Sequence, residues 1–157
     1  MNTNLHEGQE ISLILSAELM AEAAVHRLVR LRMARIARML RMVLPEASSI
    51  SVDTTRRRAD PADRRGHAEL VSIRDAVPSD LWSNVRGPDP AAPASTGGWN
   101  TILSEVNTEL SRVLDHLTPQ ACGWQPGYGA EMFRIELPVS VQDQQGTDPA
   151  RAAMAPA

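Results

Sequence analysis

From Val25 onward, apolar residues return every three or four positions, at Val25, Val29, Met33, Ile36, Leu40 and Val43. That interval keeps side chains on one face of an α-helix. Ser16 supplies an N-cap and Glu18 sits in the first turn, where negative charge suits the helix dipole. Pro45 stops the run. The spacing predicts an amphipathic helix over 16–44, ~43 Å long at 1.5 Å per residue. Residues 1–15 are polar, then briefly apolar in "ISLIL", and read as an extended lead-in or a short strand.

The period then changes. In "SSISVDTT", Ile50 and Val52 alternate with Ser51 and Asp53, the two-residue repeat of a half-buried strand. "HAELVSIRDA" reads the same way, with Val71 and Ile73 on one face. "VPSDLW" reads as a helical turn begun by Ser79, and 87–98 as a Pro/Gly/Ala-rich linker. The helical interval returns at Ile102, Val106, Leu110, Val113 and Leu117. "MFRIELPV" closes the pattern with Phe133, Ile135, Leu137 and Val139 on one strand face. Residues 141–157 have no apolar period and read as a disordered tail. The order is α-β-β-α-β within one domain over 16–140. An α+β two-layer sandwich is expected, with a three-stranded, mainly antiparallel sheet covered on one face by both helices. Val29, Ile36 and Val106, at the centres of the helical faces, are the expected core.

Charge changes this picture more than composition does. All 16 basic residues are arginine. Without lysine there is no Walker A lysine, no Schiff-base lysine and no kinase phosphate-pairing lysine. Between Arg27 and Arg65, eleven arginines face four acids, a net of +7 that leaves −10 for the rest of a chain of net −3. Within the first helix, Arg27, Arg30, Arg38 and Arg41 form one strip with Arg35 beside it, opposite the apolar face. No acid lies between Glu22 and Glu46, so neutralisation must come from outside the helix. Three sources compete: the acids of this chain or of a second copy, a nucleic acid reached also by "RRR" and "RR" in the following loop, and a membrane surface. Self-complementation or a protein partner is favoured. The membrane is disfavoured because no aromatic anchors accompany Leu31 and Met42.

Candidate chemistry is thin. Cys122 follows His116 by six residues, but a thiol at a helix C-terminus is held protonated rather than activated. His6, His26, His67 and His116 show no metal-ligand spacing, although Glu22 and His26 can share a helix face. "GWQPGYG" runs from helix into strand, the reverse of a phosphate loop, so its glycines serve a turn. Glu105 and Glu109 read as a solvated acidic face of the second helix. Trp82, Trp99 and Trp124 are expected to close the core at loops rather than form a binding platform. No cofactor motif is found. One cysteine, no signal-like leader and a five-residue apolar run favour a cytoplasmic location. The expected role is a small interaction or adaptor module without catalytic activity, a homodimer among its forms, with Arg27, Arg30, Arg35, Arg38 and Arg41 as partner contacts. The alternative is a nucleic-acid-binding regulator using Arg27–Arg65.

Overall fold

The structure, a computed structural model, describes residues 3–55, 65–77 and 79–139. The loop after the first predicted strand (56–64) and the 141–157 tail lie outside the described residues. Helix α1 spans Thr3–Val43, followed by strands β1 (Ser49–Asp53), β2 (Glu69–Arg74) and β3 (Asp80–Ser83). A 3-10 turn at Ala94–Thr96 leads into α2 (Trp99–Leu114), and strands β4 (Gln125–Pro126) and β5 (Met132–Glu136) complete the chain. The class is α+β with a long N-terminal helix and an antiparallel sheet, as the periodicities predict. The sheet differs in size. It has five strands in the order β3-β2-β1-β5-β4, and the element order is α-β-β-β-α-β-β rather than α-β-β-α-β. "DLWS" makes an edge strand instead of a helical turn, because Trp82 pairs opposite Ile73 and enters the core.

The lead-in expected over 1–15 is also corrected. Residues from Thr3 onward are already helical, so α1 is 41 residues and roughly 60 Å long. No proline interrupts residues 3–15, where Leu and Glu recur, and the helix runs on into the Ala-, Leu-, Glu- and Met-rich stretch over 17–24, so helix propensity extends α1 without a core-facing period.

Cross-strand registry builds the core. Ile50 lies opposite Ile73 and Ile135, and Val52 opposite Leu70 and Phe133. These side chains are buried together with Val29, Ile36, Leu40, Val106, Leu110 and Val113 from the helices. A break in the β1–β2 register at Ser51/Val52 skips Val71. The bulge moves the inward position from Val71 to Leu70, because one inserted residue reverses the alternation. Val71 is therefore only half-buried, against expectation. On the opposite sheet face Ser51 aligns with Ser72 and Arg134, and Arg134 pairs with Glu136 at 2.9 Å.

Helix α2 also guards the unpaired start of β2. Asn107 Oδ1 accepts from the Leu70 amide at 2.8 Å, and Ser111 Oγ accepts from the Ala68 amide at 3.1 Å. These side chains replace the ladder partner that short β3 does not reach. Entry into α2 requires two consecutive glycines with positive φ, Gly97 (79°) and Gly98 (91°), a conformation unfavourable to residues with a Cβ.

Candidate interaction surface

The arginine set of α1 divides into three groups by the partners that the fold brings to it. Arg32 and Arg35 turn towards α2, where Glu109 is only 3% exposed. Arg32 Nη1 donates to Glu109 Oε2 at 2.9 Å, Arg35 Nη1 to Oε1 at 3.3 Å, and Arg112 Nη1 to Oε1 at 3.1 Å. Burial alone would raise the Glu109 pKa. The hydrogen bond from Arg32 and the positive charges of Arg32, Arg35 and Arg112 outweigh it and hold the carboxyl below its ordinary value. Glu109 is thus a buried counter-charge that fastens α2 to α1, not the solvated acid expected. Glu105, one turn earlier, is exposed as expected. Arg32, absent from the expected partner contacts, makes the shortest of these bonds.

Arg41 is committed differently. Its Nε donates to the Ala47 carbonyl at 3.1 Å and its Nη1 to the Pro138 carbonyl. It joins the end of α1 to the turn before β1 and to the chain leaving β5. Arg27, Arg30 and Arg38 remain. All three are exposed, and none has a carboxylate partner among the described residues. Of the five residues expected to meet a partner, the structure leaves these three available and engages Arg35 and Arg41 internally.

The second feature is the first half of α1. Every described side chain from Asn4 to Ala24 is exposed, whereas from Val29 onward the helix is packed on the sheet and α2. The projecting arm is roughly 30 Å long. It carries Leu5, Ile11, Leu13, Ile14, Leu15, Leu19 and Met20, each more than half exposed. It also carries Glu7, Glu10, Glu18 and Glu22 and no arginine. Glu22 lies 3.9 Å from His26 one turn on, the surface pair that their spacing predicts. No helix among the described residues is long and apolar enough to cross a membrane.

Beside the base of the arm lies a mainly apolar groove. Val29, Arg30 and Met33 form its α1 wall, and Trp124, Ile135 and Pro138 also line it. Cys122 also lines this groove, and burial pushes its thiol pKa up, so it is held protonated. His116 lines a separate cleft with Thr54 and His67, and among the described residues no hydrogen bond joins it to Cys122. Among the described residues no group of three His, Cys, Asp or Glu side chains could hold a metal ion. The tryptophans are core. Trp82 and Trp99 meet edge-on with centroids 5.1 Å apart, Trp82 Nε1 donates to Asp89 at 3.2 Å, and Trp124 packs near Phe133 at 6.4 Å. The Gly-rich segment is a turn into β5, where the Gly127 amide donates to the Met132 carbonyl at 2.8 Å. No family model, curated protein or solved structure matches the chain.

Proposed function

We propose that this protein is a small interaction module rather than an enzyme, and that the projecting half of α1 is its docking element. One observation carries the reading: seven large apolar side chains stand exposed on a helix arm that packs on nothing among the described residues. A helix of about twenty residues without tertiary contacts is marginal in water. Large apolar side chains exposed together on one short segment mark an interaction site. Burying one such side chain stabilises a complex by roughly 1.5–3 kcal/mol, so several together reach micromolar affinity, roughly −8 kcal/mol, even after substantial association costs. Arg27, Arg30 and Arg38 are the charged partner contacts of the same surface. The lone thiol suits a reducing compartment such as the cytoplasm.

The test replaces Ile11, Leu15, Leu19 and Met20 with Ser in the full chain. A docking arm predicts an unchanged urea midpoint of the body at high dilution and lost association at high concentration. A drop of more than about 1 kcal/mol in the body's own stability would show that the arm belongs to its fold.

The unpaired state of Arg27, Arg30 and Arg38 favours nucleic acid as the second reading. Three phosphate contacts give a salt slope of about −3 on duplex DNA. Micromolar binding at physiological salt with that slope, abolished by Arg27→Glu with Arg38→Glu, would select this reading over the first.

A further inference from the structure

The arm and the groove lie on one stripe of α1. Leu15, Leu19, Glu22, His26, Arg30 and Met33 follow one another at intervals of four, three, four, four and three, which holds them along one side of the helix. The N-terminal part of that stripe is apolar at Leu15 and Leu19, with Glu22 in line after them and Glu18 beside them. Its C-terminal part is the α1 wall of the groove, with Val29 and Met33 inside and unpaired Arg30 at the lip.

We infer that the occupant of the groove is the arm of a second copy of this chain, the two α1 helices running antiparallel about Ala24. This rests on the docking reading above and names its partner. In that arrangement Leu15 seats in the groove that Met33 of the second copy, 7% exposed, helps to line, Glu18 meets its Arg30, and Glu22 meets its His26. A two-fold axis repeats each contact, because an isologous interface uses the same stripe on both subunits. Charge selects the direction. From residue 3 to residue 24 the helix is acidic, with Glu7, Glu10, Glu18 and Glu22; from Arg27 to Arg41 it holds six arginines and no acid. A parallel pair would set each charged half against its like, which is repulsive. The antiparallel pair sets acid against base and covers both the arm and the groove.

The test is sedimentation equilibrium on the full chain. Glu18→Arg and Arg30→Glu are exposed, unpartnered changes that leave the monomer folded, checked by its circular dichroism and melting. Each alone should weaken self-association roughly tenfold or more by setting like charges opposite one another. Mixing the two variants should form a heterodimer of nearly wild-type strength, because both cross-contacts then pair opposite charges. A chain still monomeric at about 0.1 mM, a dimer indifferent to either reversal, or a dimer that mixing does not restore would overturn the inference. The broader docking reading falls on a different result, loss of the body's own stability in the four-serine variant.

Discussion

From Val29 to Leu40, α1 buries Val29, Met33, Ile36, Ala37, Met39 and Leu40 against the sheet and α2, and its arginines find carboxylate or carbonyl partners or face water. From Asn4 to Ala24 the same continuous helix buries nothing, although 11 of its 21 residues are apolar. The contrast separates two causes of helix. The packed half is held by tertiary burial of one face, the usual source of helical stability in proteins. The arm depends on propensity alone, with Ala, Leu, Glu and Met outweighing Gly8, so its persistence calls for a partner.

The largest effect should come from the packed half. Ile36 is fully buried, so Ile36→Ala should cost ~2–5 kcal/mol in denaturant unfolding. Leu19→Ala in the arm, at a dilution where the chain is monomeric, should change stability by less than about 0.5 kcal/mol. Equal losses at the two positions would erase the distinction between the halves.

A middle-sized effect is expected where α2 meets the packed half. Glu109→Gln keeps the shape but removes the counter-charge of Arg32 and Arg35, and should cost about 1–3 kcal/mol. The two arginines keep partial solvent contact, so the loss should stay below that of an isolated buried charge. Acidification sharpens the point. The Glu109 pKa is lower in the folded chain than its ordinary value. Its contribution is therefore complete above the unfolded carboxyl pKa, roughly 4.3, and is lost as pH falls through the folded value. The gap in urea midpoint between wild type and Glu109→Gln should be full at neutral pH and narrow below about pH 4. A gap that stays constant down to pH 2.5 would show that Glu109 is not held ionised by these arginines.

The smallest effect is expected from Arg38→Glu, an exposed position without a carboxylate partner among the described residues. A change within about 0.5 kcal/mol in thermal unfolding agrees with a surface residue. A larger loss would mean that Arg38 is bound within its own fold and is not a partner contact.

Local chemistry was enough to decide several things. Val29, Ile36 and Val106 were readable as core because three- and four-residue spacing admits one buried helix face. Ile50, Val52, Phe133 and Ile135 were readable as the inner row of a sheet because alternation admits one inner face. Lysine-free composition excluded whole classes of chemistry with no structure needed. Other features depend on groups far apart in the chain. Glu109 reads as a surface acid until helix packing brings Arg32 to it across 77 positions. Val71 and Leu70 exchange places through a bulge whose cause is the registry with β1, not the order of residues within β2. "DLWS" is too short to show a period and becomes a strand only because β2 offers it an edge. The helicity of residues 3–15 left no periodic trace, because a pattern forms where one face has a core to meet, and the arm meets none among the described residues. Which arginines stay free was settled the same way: α2 and the carbonyls of Ala47 and Pro138 took Arg32, Arg35 and Arg41, and nothing described in the fold reaches Arg27, Arg30 or Arg38.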